Sequence, residues 1–414
     1  MESPPGTISL FDPDSYRGGP PHAYLRRLRQ EAPVCWHERP GPEVSSASKL
    51  DTGYWVLSKH QDVMDASRNP HLFSSYVGTS FLMDPKEEDL PGLQAMLINM
   101  DPPGHVKYRR LVQRGFTPRM VAELEPRIRA HARRIVDNVA RKGSCEFVTE
   151  IACELPLILI CELMGVPDED RPQIFDWSNA LIGSDDPEMK AGADPMQVSA
   201  QMWMYSNALA QKKREQQPDE TLISKYVHGE VDGMKISEFE LNNFFLMLAV
   251  AGNETTRNAT SHFMRLMSEH PDQFELLKTD VDRLLPGAIE EALRFAPPVV
   301  AFRRTALQDT EIRGVRIAKG DKVWLSYPSA NRDEEVFADP DRFDIRRSPN
   351  HHLSFGIGEH FCLGANFARM QLHSIMREVV TRLPDIRVVT PPKFQRSNLI
   401  HGIREMRVEF TPEA

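Results

Sequence analysis

Through most of the chain, apolar residues recur at spacings of three and four, the signature of helices with one buried face. The clearest stripe, Val121, Leu124, Ile128, Ala132, Ile135 and Val139, predicts an amphipathic helix over 119–142. Similar spacing predicts helices at 24–31, 59–68, 148–164, 170–182 and 196–216, and another at about 364–382. A helix over 286–295 should stop at Ala296-Pro297-Pro298, because a residue before proline is pushed out of the helical region. Strand-like runs are fewer. Residues 34–37 and 53–57 predict a hairpin about the polar stretch 39–52, and 299–303, 311–325 and the region from Ile386 onward also read as β. The balance predicts a mainly α protein with small β-sheet regions.

The longest predicted element runs from Ile236 to His270. Ser237 and Glu240 form a capping box, Ile236 and Leu241 are placed for a hydrophobic staple, and Pro271 closes the segment. About 33 residues at ~1.5 Å each give roughly 50 Å, enough to cross a whole domain. Its middle, 244–251, is apolar all round and should be buried on every side. Ala251-Gly-Asn-Glu-Thr-Thr256 interrupts that pattern. Gly252 costs ~1 kcal/mol relative to alanine, Thr255 and Thr256 add β-branched crowding, and a buried Glu254 is costly unless partnered. Two readings fit: a threonine bonding back to the i−4 carbonyl and bending the helix, or a functional groove.

Two segments lack periodicity. Residues 1–23, rich in proline, glycine and aspartate, read as an irregular arm. Residues 73–100 mix polar positions with Phe81, Leu82, Met83, Leu90, Met96, Leu97 and Ile98, and so long an irregular loop usually covers a binding site. Asp101 followed by two prolines then starts a helix that carries His105 and Arg109 on one face. Residues 103–134 hold nine Lys/Arg against two Glu, in a chain whose net charge is −9. That excess is either a solvated helix face or a site for an anionic ligand or acidic partner.

The acidic balance argues against a nucleic-acid binder. Five cysteines (35, 145, 153, 161 and 362) form no Cys-x-x-Cys pair and are odd in number, so neither a zinc site nor a disulfide framework is indicated. A reducing cytoplasm is the compartment expected. No basic region leads into an apolar run at the N-terminus, and the stretches 155–166 and 244–251 fall well short of the ~20 residues that span a bilayer, so no transmembrane anchor is expected. No internal repeat or linker is visible.

Cys362 stands in Phe355-Gly-Ile-Gly-Glu-His-Phe-Cys-Leu-Gly364, just before the helix predicted at about 364. Glycines at 356, 358 and 364 let the backbone adopt positive φ or lie close to a flat object. A following helix directs its N–H groups and positive dipole end at the sulfur and favours a thiolate, as nucleophile or metal ligand. A buried structural thiol is the alternative. Glu291-Ala-Leu-Arg294, taken alone, is the kind of i,i+3 pair that usually lies exposed.

Taken together, these stretches resemble the cytochromes P450, haem-thiolate monooxygenases, and most of all the soluble bacterial and actinobacterial kind. The family's Phe-x-x-Gly-x-x-x-Cys-x-Gly is matched by Phe355, Gly358, Cys362 and Gly364. Its Glu-x-x-Arg is matched by Glu291 and Arg294, its meander arginine by Arg342, and its acid–threonine signature by Ala251, Gly252, Glu254, Thr255 and Thr256. The resemblance spans nearly the whole chain and implies one domain over 1–414 after the arm, with the long helix over haem b (iron protoporphyrin IX). It implies Cys362 as the proximal iron ligand, with Phe355 beside the sulfur. His105 and Arg109 would hold the haem propionates from one side and Arg304 and His360 from the other, with Arg303 a competing choice. Glu254 and Thr255 would deliver protons for splitting dioxygen, and Glu291, Arg294 and Arg342 would form a buried triad. With no flavin or iron–sulfur motif, electrons would come from a ferredoxin and its reductase, docked on the basic residues around 107–134. The substrate implied is an apolar small molecule of sterol or lipid type. A peroxide-driven peroxygenase and a non-catalytic haem sensor are the competing functions, and the acid–threonine pair counts against both.

Overall fold

The computed structural model describes residues 8–38, 53–182, 186, 194–230, 233 and 235–414. The polar stretch 39–52, residues 1–7 of the arm and most of the acidic loop at 183–195 lie outside the described residues. The chain gathers into two compact bodies.

The first takes in the described part of Met1–Tyr108, with Glu290–Leu363 and Arg396–Gly402. Its frame is a five-stranded sheet in the order Val34–Glu38, Gly53–Leu57, Lys322–Ser326, Ala301–Ala306, Phe73–Ser74. The predicted hairpin is there, with Val34 opposite Leu57 and Glu38 opposite Gly53. Only the pairing of Gly53–Leu57 with Lys322–Ser326 is parallel. Trp55 and Leu57 pack with Val63, Val323, Leu325 and Tyr327 on one face, while Tyr54 and Val56 pack with Leu25, Leu28 and Trp324 on the other. Burial on both faces is why Gly-Tyr-Trp-Val-Leu reads as an apolar run rather than an alternation. Helices His22–Glu31 and His60–Arg68 match their predicted positions. The arm is not irregular throughout: Pro13–Tyr16 is a short 3₁₀ turn capped by Asp12, and Tyr16 is buried. The loop at 73–100 likewise carries a helical turn, Leu90–Gln94.

The second body comprises Arg109–Ile289, Gly364–Gln395 and Ile403–Ala414. Helix Glu238–Glu269 runs through it unbroken for 32 residues. Its start is as predicted, with the Ser237 hydroxyl accepting from the Glu240 N–H and the Glu240 carboxylate accepting from the Ser237 N–H. Helices Glu154–Met164, Arg171–Ile182, Pro195–Glu215 and Ala365–Arg382 pack against it. The expectation of burial on every side does not hold. Phe244, Phe245, Leu246, Leu248 and Ala249 are buried, but Met247 and Val250 are half-buried and Ala251 is exposed. Within this body, one face of the long helix is left uncovered.

The amphipathic stripe forms helix Pro118–Val139, burying Ile128, Ala132, Ile135 and Val136. Two helices give too little periodic signal to be read from sequence. Leu222–His228 is short, and Pro271–Thr279 starts on the same proline that ends the long helix, since a first-turn residue needs no N–H. The helix expected from residue 286 begins earlier, at Val281, with Pro286 inside it. Leu285, Ala288, Ile289, Ala292 and Leu293 are all buried, and that continuous apolar face outweighs one lost backbone hydrogen bond.

Candidate functional site

In the first body, the cysteine loop closes on itself: the Cys362 N–H donates to the Phe355 carbonyl at 2.8 Å. Gly356 and Gly358 sit at φ +67° and +74°, as the glycine spacing predicts. A Cβ on Gly358 would stand 2.8 Å from the Ser67 carbonyl, so the loop can lie against helix His60–Arg68 only with glycine there. Gly364 differs. Its φ is −90°, and a Cβ would meet nothing within 4 Å, so protein packing does not require a glycine at that position. None of the five cysteines is in a disulfide. Cys35, Cys145, Cys153 and Cys161 are buried, and burial pushes each thiol up to about 12. Cys362 alone is partly accessible, the condition a ligand or nucleophile needs.

The structure brings His105 and His360 together, with ring centroids 4.3 Å apart. The His360 Nε2 is 3.2 Å from the Ser75 hydroxyl, and the Ser75 N–H donates to Asp101 at 2.8 Å. Glu359 approaches the His105 Nδ1 at 4.0 Å. Phe355 is in ring contact with His352 and Phe361. Arg109 follows His105 by one turn on helix Gly104–Val112 and is assigned to the second body.

Strand alternation separates the two candidate arginines. Arg303 points to the face that carries Thr305 and is ion-paired with Asp84. Arg304, on the opposite face, is buried at 4% exposure and donates to the Arg303 carbonyl at 2.8 Å. It forms no ion pair with a carboxylate among the described residues. Burial pushes its pKa down, opposed by the nearby Tyr327 hydroxyl and the Asp101 carboxylate.

Glu291 and Arg294 are not the exposed pair their spacing suggests. Both are fully buried, and Arg294 grips both carboxylate oxygens at 2.8 Å. The third member of the triad is Arg347, not Arg342. Arg347 places its Nε 3.1 Å from both Glu291 oxygens, while the Arg342 side chain is 61% exposed and, among the described residues, approaches only the Asp344 carboxylate, at 3.7 Å. Arg342 contributes its carbonyl instead, accepting from Arg294 and Arg347. The chain turns between these residues, so sequence order did not indicate which guanidinium faces inward.

In the second body, Glu254 is fully buried and ion-paired with Arg257, whose other terminal nitrogen donates to Asn179 at 3.0 Å. The Glu254 Oε1 has no hydrogen-bond partner among the described residues. Burial raises the Glu254 pKa, and the Arg257 guanidinium pulls the other way. Thr255 takes the back-bonding option, its hydroxyl donating to the Ala251 carbonyl at 2.8 Å, and lies on the helix face that carries Ala251. Gly252 is tight: a Cβ would come 2.9 Å from Ile160. Arg257 and Asn179 were not anticipated. The signal for Arg257 was present, since Glu254 and Arg257 repeat the i,i+3 spacing of Glu291 and Arg294.

A family model described as cytochrome P450 matches residues 159–384, more than half of the chain. Across 98% of its length the chain is 42% identical to the steroid C26-monooxygenase of Rhodococcus jostii strain RHA1, covering 85% of that protein. It is equally 42% identical to the methyl-branched lipid omega-hydroxylase of Mycobacterium bovis, over 93% of this chain and 90% of that one. Among solved structures, a Mycobacterium marinum cytochrome P450 in complex with pseudoionone matches with a TM-score of 0.87 at 37% identity, covering 94% of each chain. Likeness of this extent, in sequence and in fold alike, makes the chain a bacterial member of the cytochrome P450 family, a haem- and iron-binding monooxygenase.

Proposed function

We propose that this chain hydroxylates an apolar substrate of steroid or methyl-branched lipid type, with electrons from a ferredoxin and its reductase. The observation that carries the substrate class is the 42% identity, over nearly the whole chain, to one relative named for each of those two substrates. Apolar surface supports it. Of Phe81, Leu82, Met83, Leu90, Met96, Leu97 and Ile98 in the loop at 73–100, only Leu97 is buried; Met83 is 44% exposed and the others are half-buried, Leu82 against the core of the sheet. Core residues would be covered, whereas surface for a flexible lipid is well served by accessible leucine and methionine. Met247, Val250 and Ala251 on the long helix are open in the same way.

The residues present fit haem b. Cys362 is an accessible sulfur in a glycine loop, and Arg304 is a buried cation without a carboxylate, which suits a propionate. Arg303 is committed to Asp84, which favours Arg304 for that role. His105 and His360, whose rings touch, are the further propionate ligands, with Arg109. Phe355 shields the sulfur, and Gly364 keeps that side of the loop free of side chain. Haem, when bound through a cysteine thiolate, supplies the activation of dioxygen. Glu254 is the proton source. Burial drives it toward the neutral form and Arg257 toward the charged form, the two-sided tuning a proton carrier needs. Thr255, one residue on, orients the proton's acceptor, Ala251 keeps the helix surface small beside it, and Gly252 lets the helix lie against Ile160.

No helix among the described residues is long and apolar enough to cross a membrane. We place the protein in the cytoplasm, where five cysteines outside disulfides are stable. Lys107 and Arg110, both exposed, are the proposed docking cations for the acidic ferredoxin. The test is reconstitution. The reduced protein with carbon monoxide should show the thiolate red shift, steroids or branched lipids should shift the Soret band, and ferredoxin plus reductase should support hydroxylation. Lys107→Glu should slow reduction without altering haem content. Turnover sustained by peroxide but never by ferredoxin would sink the proposal.

A further inference from the structure

In the first body, strand Ala301–Ala306 organises the segment that follows strand Phe73–Ser74, through the backbone and side chain of Arg303 and the hydroxyl of Thr305. The Arg303 N–H donates to the Ser80 carbonyl at 2.8 Å, and its side chain donates to the carbonyls of Phe81 and Leu82 at 3.4 and 3.5 Å. Thr305, on the same strand face, donates to the Val77 carbonyl at 2.7 Å. Gly78 passes so close that a Cβ would collide with the Arg303 guanidinium, and its φ of +73° is followed by Thr79 at +80°. A β-branched residue stays in that sparsely populated region only where its surroundings impose it. Ser80 carries the order onward, its N–H donating to Asn99 at 2.9 Å and its hydroxyl to the Ile98 carbonyl at 2.8 Å. Both arms of the loop are therefore registered on the strand through Arg303.

The anion that completes this arrangement is Asp84. Its two carboxylate oxygens are divided between Arg303 and Lys322, which sit on adjacent strands and are 3% and 7% exposed. Burial alone would raise the pKa of Asp84, but the two cations more than offset it and hold the group ionised. The three residues Phe81, Leu82 and Met83 lie between the Ser80 anchor and this ion cluster.

We infer that Asp84 is the latch of the loop at 73–100: by clamping Arg303 and Lys322 it holds Phe81 to Met83 in place and sets which apolar molecules fit. It is a positioning residue and touches no reacting atom. The inference rests on the reading that this loop faces the substrate.

The test uses the haem-loaded protein carrying Asp84→Asn, with Asp84→Glu as the conservative companion and an unaltered carbon monoxide spectrum as the check on folding. Trypsin cleavage after the exposed Lys86 reads the latch directly. Asp84→Asn should be cut about tenfold faster than wild type and Asp84→Glu at close to the wild-type rate. Soret titrations with cholesterol and with 14-methylpentadecanoic acid read selectivity. Asp84→Asn should weaken one by about tenfold and change their ratio, while imidazole, which reports on the iron alone, binds unchanged. Cleavage of Asp84→Asn at the wild-type rate overturns the latch. Faster cleavage with an unchanged ratio, or an equal loss for imidazole, overturns the selectivity role. A wild-type protein that binds neither lipid counts against the substrate class, and the cleavage rates then decide the latch by themselves.

Discussion

Arg347→Ala should destabilise the protein far more than Arg342→Ala, although the family pattern points to Arg342. Arg347 Nε lies 3.1 Å from both oxygens of Glu291, and its terminal nitrogens donate to the carbonyls of Ala338, Asp339 and Arg342 at 2.7, 3.1 and 2.9 Å. Its side chain is 11% exposed against a fully buried partner. Removing it does not strand the Glu291 charge. Arg294 still grips it bidentately, and the Asp344 N–H and Asn350 amide still donate to it at 3.0 and 3.1 Å. The loss is thus smaller than the ~3–5 kcal/mol of an abandoned buried charge. One charge-assisted contact is worth about 1.5–3 kcal/mol, and the carbonyl bonds, which water partly replaces, add about 1. We expect about 3 kcal/mol for Arg347→Ala. The Arg342 guanidinium, exposed and 3.7 Å from the Asp344 carboxylate, should cost under about 0.5 kcal/mol. Urea titrations of the holoprotein, followed by tryptophan fluorescence and by the Soret band, measure both. Equal midpoints, or a lower one for Arg342→Ala, would refute the assignment.

Thr255→Ala should leave the helix intact, since among the described residues the hydroxyl bonds only to the Ala251 carbonyl. Hydroxylation should fall by about 10²-fold while oxygen consumption continues and hydrogen peroxide appears; full coupling would remove Thr255 from proton delivery. Arg257→Met should cost about 3–5 kcal/mol by abandoning buried Glu254. Adding Glu254→Gln should restore most of that in urea titrations, and a double variant as unstable as the single would contradict the pairing. Acid sensitivity has a further source in His37, which is buried against Tyr24 and Tyr54 and pushed down to about 4 by burial. Between pH ~6.5 and ~4 the unfolded chain takes up a proton that the folded chain refuses, so stability falls as pH drops through that window, by roughly 3 kcal/mol. His37→Gln should flatten this part of the pH–stability curve; parallel losses in both proteins would exclude His37 as the cause.

Elements with a long periodic signal were legible without coordinates. The long helix, its capping box, the Pro118–Val139 stripe and the Val34–Glu38 hairpin all depend on neighbours a few residues apart. Short elements, and Pro271 and Pro286 as a helix start and a helix interior, were not, because there packing overrides local preference. The cysteine loop was legible for a chemical reason: positive φ at two fixed glycines leaves a mark in sequence. Charge partners left none. A carboxylate shows its need for a cation but not which one supplies it. So the chain by itself determined that a buried Glu254 needs a partner, and the family resemblance added a buried Glu291 and a propionate arginine at 303 or 304. Only the tertiary structure decided that Arg257 serves Glu254, that Arg347 joins Arg294 on Glu291, and that Asp84 takes Arg303 while Arg304 meets no carboxylate among the described residues. Those choices turn on which face of a strand or turn a side chain leaves from, and on which distant segment is brought within about 3 Å of it.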